Sequence, residues 1–310
     1  MYGMRILLST LAAALVACSG GLDEPVPSGK TGGGTTPTPD PEPPGETGRE
    51  EGWLKADGKD AATYSLITAC GYNYETPDKS GAHASAPFRH ITQSYDTQLK
   101  SNVFNFILHI ENDDDRGKTD VTDRQRNEIK TDSGSPASMV ALKAGETLVI
   151  KWKFRLPAGM KTTTSFSHVH QLKGIDNSAG TADVSQPLVT FTARTVSGGQ
   201  EFQIIYNAPH STTADYLFKC DLADFLGQWV SVEETVKCDT EGSYSVVIRR
   251  CSDGKVLATL TDVKRNLWRD GTTGIRPKWG LYRSFGEKRS NASQLRDETL
   301  QFADFYVGHK

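Results

Sequence analysis

Short apolar runs with a period of two recur along most of this chain, and they constrain its fold more than any other feature. In residues 147–155, 229–237 and 243–250, apolar side chains occupy most of the alternate positions. Side chains of a β-strand point alternately to the two faces of a sheet, so this period predicts strands with one buried face. Helical periodicity is scarce, which predicts an all-β fold.

Turn residues separate the predicted strands. Gly198-Gly199 and Asp253-Gly254 predict hairpin turns, and residues 213–226 are compatible with one short helix. Many strands joined by polar turns predict two packed antiparallel sheets, in a sandwich or jelly roll. The predicted strands are residues 102–110, 125–131, 147–155, 165–173, 188–195, 201–206, 229–237, 243–250, 256–263, 278–284 and 300–307.

The N-terminal part of the chain reads as an export signal followed by a tether. One positive charge precedes a short apolar run, and residues 15–18 read Leu-Val-Ala-Cys, which is typical of a bacterial lipoprotein box. We therefore expect residues 1–17 to be a signal peptide and Cys18 to be lipidated. Residues 18–52 are rich in Pro, Gly and Thr and predict a disordered tether. Residues 53–310 remain for one folded domain, on an outer-membrane lipoprotein facing the periplasm or the cell surface.

Charge argues against a nucleic-acid partner. The chain has 35 basic and 38 acidic residues; residues 1–52 hold 3 and 7 of them, which leaves 32 basic and 31 acidic side chains in the folded part. A nucleic-acid-binding domain normally shows a large basic excess. We expect a monomer whose membrane contact is its lipid anchor.

Four cysteines follow the lipoprotein box, and outside the cytoplasm an even set permits disulfides. None has the CxxC spacing of a zinc site. Cys238 and Cys251 flank a hairpin predicted to turn near residues 239–242, and antiparallel register places Cys251 near Trp229 or Val230 rather than near Cys238. That argues against a bridge between these two and leaves the connectivity open. The four are Cys70, Cys220, Cys238 and Cys251.

Three predicted strands concentrate polar side chains on one face. In the first, Arg126, Glu128 and Lys130 point the same way. In the last, Lys278, Gly280 and Tyr282 share a face, and the glycine leaves room for something to approach the backbone. Solvated edge strands and a hydrogen-bonded surface tyrosine are the alternatives.

The middle strand carries two histidines. His168 and His170 share one face, while Val169, Gln171 and Lys173 share the other. A metal pair is not favoured, because no third ligand follows with suitable spacing. The alternative is one buried and one exposed histidine.

Together these segments resemble the jelly-roll polysaccharide lyases of the glucuronan lyase and heparin lyase I type. Residues 228–233, 255–257 and 300–307 also resemble the concanavalin-type jelly roll. The lyase resemblance covers most of residues 85–310, and residues 53–88 find no match. In that group an Arg-x-Glu strand, a His/Gln/Lys strand and a late Lys-x-Gly-x-Tyr-Arg strand line one groove. Here the matching motifs are residues 126–128, 170–173 and 278–283.

The resemblance implies β-elimination at a uronic acid: removal of the C5 proton, loss of O4 and an unsaturated product. Arg126 and Gln171 would neutralise the substrate carboxylate, and Lys278 would lower the pKa of the neighbouring Tyr282 phenol. In a syn elimination, of glucuronate or mannuronate, Tyr282 could serve as both base and acid. An anti elimination, of iduronate or guluronate, would need a second group such as His170. A regular strand cannot present both His170 and Gln171 to the groove, so a bulge would be required.

The remaining expectations concern the groove lining and the partners. An anionic polysaccharide is the expected substrate, with no cofactor for the chemistry. The run Asp113, Asp114 and Asp115 is a candidate for a structural calcium ion. The lining or substrate-binding residues are expected to be Glu128, Lys130, His168, Lys173 and Arg283.

Two other functions are considered. A non-catalytic glycan-binding lipoprotein would show exposed aromatic platforms. A glycoside hydrolase needs two carboxylates flanking a cleft, and Glu233-Glu234 point to opposite faces of a strand.

Overall fold

The computed structural model describes residues 50–79, 89–116, 118 and 121–310. The predicted signal peptide, the lipidated Cys18 and nearly all of the predicted tether lie outside these residues. Within the described part, no helix is long and apolar enough to cross a bilayer.

The described residues form strands with a few short helical segments. The one α-helix is α1 (Thr63–Ala69), and single 3-10 turns lie at Asp60–Ala62, Pro77–Lys79, Ala137–Met139, Leu222–Phe225, Glu287–Arg289 and Ala292–Gln294. The strands are β1 (Trp53–Leu54), β2 (Asn73–Glu75), β3 (Ile91–Asp96), β4 (Ser101–Leu108), β5 (Arg124–Lys130), β6 (Thr147–Arg155), β7 (Ser167–Ile175), β8 (Val189–Val196), β9 (Gly199–Asn207), β10 (Ala214–Asp221), β11 (Trp229–Lys237), β12 (Gly242–Arg250), β13 (Val256–Arg265), β14 (Gly274–Ser284) and β15 (Glu298–His309).

Two antiparallel sheets pack face to face, as the alternating pattern predicts. The first runs β13-β12-β11-β6-β15-β4-β3, with β1 paired to β15, and the second runs β10-β9-β8-β7-β14-β5-β2. Aromatic side chains fill the space between them, including the buried Trp152, Phe154, Phe191, Trp279 and Phe302. Burying this apolar area drives the two sheets together and leaves the opposite face of the second sheet for polar groups.

Every predicted strand is present, but the predicted helix over residues 213–226 is wrong. Residues 214–221 form β10, which pairs with β9 along its length, and only Leu222–Phe225 turn helically. Local propensity allows a helix here, but pairing with the edge of the sheet provides hydrogen-bond partners for the same backbone N–H and C=O groups. The short strands β1, β2 and β3 were not predicted.

The hairpin between β11 and β12 has the predicted register. Val230 pairs with Arg250, and the Cys251 amide donates to the Trp229 carbonyl at 2.9 Å. All four cysteines of the described residues are free thiols, so the permitted disulfides are not formed.

Candidate active site

The candidate site lies on the face of the second sheet that points away from the core, where β5, β14 and β7 run side by side. Tyr282 on β14 pairs with Arg126 on β5 and with His168 on β7. Because paired residues of neighbouring strands point to the same face, the register brings these three side chains together. The three polar strands singled out in the sequence therefore meet at one place.

Tyr282 is enclosed by two arginines and an aromatic ring. The Arg126 guanidinium carbon lies 3.7 Å from the centre of the Tyr282 ring, and Arg124 Nη1 donates to the phenol oxygen at 2.9 Å. Phe166 packs against the ring at 5.0 Å between centroids. Burial raises the pKa of Tyr282, and the charges of Arg126 and Arg124 offset only part of that rise. The resting phenol is protonated at neutral pH.

The two histidines of β7 lie on opposite faces of the sheet, because the strand has a bulge between them. The bulge points Val169 and His170 to the core in succession. His170 is fully buried, packs on Trp152 at 5.1 Å, and places Nε2 3.2 Å from Glu234 Oε1. The catalytic role predicted for His170 is therefore wrong: it lies between the sheets, away from the groove.

His168 occupies the groove instead, where the sequence predicted only a binding residue. Its ring lies 6.1 Å from that of Tyr282 and stacks on Phe166 at 4.6 Å. Nδ1 is 2.8 Å from the Thr192 hydroxyl. Burial lowers the pKa of His168 to about 3, with a smaller contribution from nearby arginines and an opposing one from Glu128. The imidazole is neutral and can accept a proton.

Lys278 and Arg126 are held by carboxylates rather than standing free. Lys278 Nζ lies 2.6 Å from Glu75 and 2.6 Å from Glu128. Arg126 binds Asp115 at 2.7 Å and Glu128 at 2.6 Å, and lies 3.3 Å from Glu75. The expectation that Lys278 lowers the pKa of Tyr282 is wrong, because Glu75 and Glu128 neutralise the charge of Lys278. The cations that contact the Tyr282 phenol are the two arginines instead.

Glu75 is the residue that sequence reasoning missed. It lies on β2, in a stretch without any recognised motif, and β2 joins the sheet by pairing with β5. Burial alone would raise its pKa, but Lys278, Arg126 and Lys130 hold it far below the usual range. A carboxylate inserted among three cations is therefore ionised at neutral pH.

Gln171 and Glu128 form a pair in this same cluster. The bulge turns Gln171 to the groove side, where its amide donates to Glu128 Oε1. Glu128 is 1% exposed, so it orients other side chains and is not available as groove lining. With its amide engaged in this way, Gln171 also positions the cluster.

Two other predicted residues have different surroundings. The prediction that Arg283 binds substrate is wrong, because its side chain is fully buried on the core side. It donates two hydrogen bonds to Gln125 Oε1, at 2.9 and 2.8 Å. Lys130 lies on the groove side, 3.0 Å from Glu75.

Gly280 leaves room for a neighbouring strand rather than for a ligand. Its φ is +142°, and a Cβ atom there would collide with the Asn127 carbonyl oxygen of β5. Only glycine fits, because the conformation and the close approach both exclude a side chain.

Two of the three aspartates proposed for calcium, Asp113 and Asp115, have different partners. Asp113 lies 2.8 Å from His90 and 3.2 Å from His109, whereas Asp115 binds Arg126. His90, His109 and Asp113 form a compact group. Burial opposes protonation of His90, but Asp113 and Asp78 outweigh it and raise its pKa to about 9. A metal ion bound here would have to displace that proton.

Solved structures that resemble this chain include polysaccharide lyases. A marine PL-14 alginate lyase from Aplysia kurodai matches with a TM-score of 0.53 at 12% identity, over 83% of this chain and 98% of its own. Family 7 alginate lyase A1-II′, solved in complex with substrate, matches with a TM-score of 0.50 at 15% identity, over 77% and 93%. An endo-β-1,4-glucuronan lyase from Trichoderma reesei has a TM-score of 0.46 at 12% identity, over 77% and 94%.

No family model matches the sequence, and no curated protein matches it either. The likeness to the two alginate lyases establishes the β-jelly roll of this chain, as predicted.

Proposed function

We propose that this protein is a polysaccharide lyase that cleaves a uronic-acid-containing polymer by β-elimination. The observation that carries the proposal is the contact of the Tyr282 phenol with two arginines beside a neutral His168. The reaction removes a weakly acidic C5 proton next to a carboxylate, so it needs positive charge, a proton acceptor and a proton donor in one place. The groove brings all three together.

The positions and protonation states of the two side chains support the following proton transfers. His168 is neutral and lies beside Tyr282 on the groove face, so it is placed to accept the C5 proton as the general base. Tyr282 has a raised pKa and donates its proton to O4 as the bond breaks. Arg124 donates to the phenol oxygen, so the phenol proton points elsewhere and is available to the leaving group.

Arg124 supplies positive charge for the developing enolate-like dianion, and Arg126 holds the Tyr282 ring in place beside it. Arg126 is fixed by Asp115 and Glu128, so its guanidinium does not have to reorganise during the reaction. Arg124 is more exposed and can reach a bound carboxylate, although its own partner is Asp123. The roles first given to Gln171 and Lys278 become those of positioning residues.

The placement of the two proton-transfer groups favours syn elimination. His168 and Tyr282 are paired residues on one face of one sheet, so a sugar lying over that sheet presents the same side to both. The C5 proton and O4 lie on the same side in glucuronate and in mannuronate. We infer that these are the preferred uronates, rather than iduronate or guluronate.

The test is a direct assay for the product. The protein is incubated with glucuronan, polymannuronate, polyguluronate, heparan sulfate and hyaluronan, and the ultraviolet absorbance of a new C4–C5 double bond is followed. Cleavage of a glucuronate or mannuronate polymer would support the proposal. Tight binding of a polymer without any absorbance change would instead indicate a glycan-binding protein.

We also propose that the enzyme is an outer-membrane lipoprotein acylated at Cys18. The support is the sequence of residues 15–18 and the Pro- and Gly-rich stretch after it. A Cys18→Ala variant should leave the membrane fraction and appear as soluble protein. Retention of that variant in the membrane would contradict the proposal.

A further inference from the structure

The charges around Lys278 do not balance. Within the described residues, this cluster contains six cations and four carboxylates. Four of the cations form ion pairs with the carboxylates, at distances within 4 Å, and each carboxylate takes part in at least one pair. The four carboxylates are Glu75, Asp115, Glu128 and Asp132. The four paired cations are Arg116, Arg126, Lys130 and Lys278, and the two left over are Lys173 and Arg276.

The two unpaired cations face each other. Lys173 on β7 is the Cα partner of Arg276 on β14, so both side chains project from the groove face. Within the described part of the chain, neither has a carboxylate oxygen within the 4.0 Å limit of an ion pair. Their hydrogen bonds go to backbone carbonyls, from Lys173 to Ser185 at 3.3 Å and from Arg276 to Thr131 at 3.4 Å.

Like charges directly opposite on paired strands destabilise a sheet. Burial, together with the charges of Lys278, Arg126 and Arg276, lowers the pKa of Lys173 to about 8, and the more distant Glu128 offsets only part of that effect. Both side chains remain partly exposed, so a ligand can reach them. The fold therefore maintains an unfavourable arrangement that a bound anion would relieve.

We propose that Lys173 and Arg276 form a subsite for a second oxyanion of the substrate chain, a carboxylate or a sulfate ester, remote from the bond that is cleaved. This inference rests on the proposed function and deepens it. Arg276 offers a forked pair of donors and Lys173 a point charge, a combination that suits a carboxylate or sulfate.

The subsite is distinct from the place of cleavage. Tyr282 lies six positions after Arg276 on β14, which corresponds to about 20 Å along an extended strand. A polymer crosses that span only with several sugar units. The subsite would therefore select longer chains and add affinity without taking part in proton transfer.

The test measures binding in a Tyr282→Phe background, so that no probe is turned over. Isothermal titration calorimetry compares an oligoglucuronate, an oligomannuronate and a sulfated heparan oligosaccharide. The variants are Lys173→Gln, Arg276→Gln and the charge-conserving Lys173→Arg. Lys237→Gln, a partly exposed lysine on the other sheet, is the matched control.

We expect Lys173→Gln and Arg276→Gln each to weaken binding about tenfold or more, the usual effect of losing one charged hydrogen bond. Lys173→Arg should retain most of the affinity, and Lys237→Gln should have no effect. Thermal unfolding gives a second readout: because a repulsion is removed, Lys173→Gln should unfold at the same or a higher temperature. If Lys173 had a merely structural role, Lys173→Gln would lower the unfolding temperature.

The outcomes separate the possible anions. If the glutamine variants lose affinity for the unsulfated probes, the anion bound at the subsite is a carboxylate. If they lose affinity for the heparan probe alone, it is a sulfate ester. Unchanged affinity of the glutamine variants for every probe, or no binding of any probe by the parent, would overturn the subsite. If the wild-type protein cleaves no polymer while the binding difference persists, elimination fails and the subsite stands.

Discussion

His168 and His170 lie two positions apart on β7, yet His168 faces the groove beside Tyr282 while His170 is buried against Glu234 between the sheets. A bulge between them causes the difference. Two histidines of one short motif therefore have different surroundings. One lies beside the Tyr282 phenol in the groove, and the other contacts Glu234 on the facing sheet.

The first prediction compares these two residues. His168→Gln should lower kcat by about 10²- to 10⁴-fold, the usual contribution of a general base, with little change in stability. His170→Ala should destabilise the fold by about 3 kcal/mol or more, because it leaves a cavity beside Trp152 and removes the nitrogen that lies 3.2 Å from the buried Glu234, which keeps only Trp152 and Tyr244 as donors. Initial rates and urea unfolding of both variants test this. Equal rates for His168→Gln and the wild type would contradict the proposed base.

The second prediction concerns Tyr282→Phe. The substitution removes only the hydroxyl, so the ring should keep its contacts with Arg126 and Phe166. We expect a loss of kcat of at least about 10²-fold with an unchanged unfolding temperature. The rate of product absorbance is the measurement, and circular dichroism is the control for folding. A variant with near-wild-type rates would exclude the phenol as the acid.

The third prediction concerns acid stability through Glu75. The folded-state pKa of Glu75 lies far below the unfolded value of about 4.3, so its stabilising contribution is present above that value and is lost as the pH falls below it. Glu75→Gln leaves Lys278 and Arg126 with too few anions and should cost about 3–5 kcal/mol at pH 7. The variant should then lose less stability on acidification than the wild type.

Urea unfolding at pH 7 and pH 3 measures this difference. Glu233→Gln, an exposed glutamate on β11, provides the control and should behave as the wild type does. An equal loss of stability on acidification in Glu75→Gln and the wild type would show that Glu75 does not carry this dependence.

The fourth prediction concerns His90, which lies between Asp78 and Asp113. Its folded-state pKa of about 9 exceeds the unfolded value of about 6.5, so its contribution is complete below pH 6.5 and is lost as the pH rises through 9. The wild type should lose up to about 3 kcal/mol from this group over that window, at 1.36 kcal/mol for each pKa unit. His90→Gln should remove that dependence.

Unfolding free energies at pH 6.5 and pH 9 provide the measurement. His210→Gln is the matched control, because the His210 side chain is 72% exposed. A slope in His90→Gln as steep as in the wild type would show that another group titrates.

Much of the site could be predicted because strand alternation is a local property. The spacing of Lys278, Gly280 and Tyr282 places all three on one face, and the structure has them there. Arg126 was placed beside Tyr282 on the resemblance of two short motifs. Glu75 could not be found in this way, because its strand has three residues and becomes meaningful only when it pairs with β5.

By itself, the sequence determined the period-two pattern, the strands and the faces on which most polar residues lie, since these depend on each strand alone. Only the tertiary structure decided which histidine faces the groove, because a bulge arises from the register between strands. It also decided which cations carry available charge: Glu75 and Glu128 neutralise Lys278, while Lys173 and Arg276 remain unpaired. Electrostatic pairing depends on distances between segments far apart along the chain, and folding alone sets those distances.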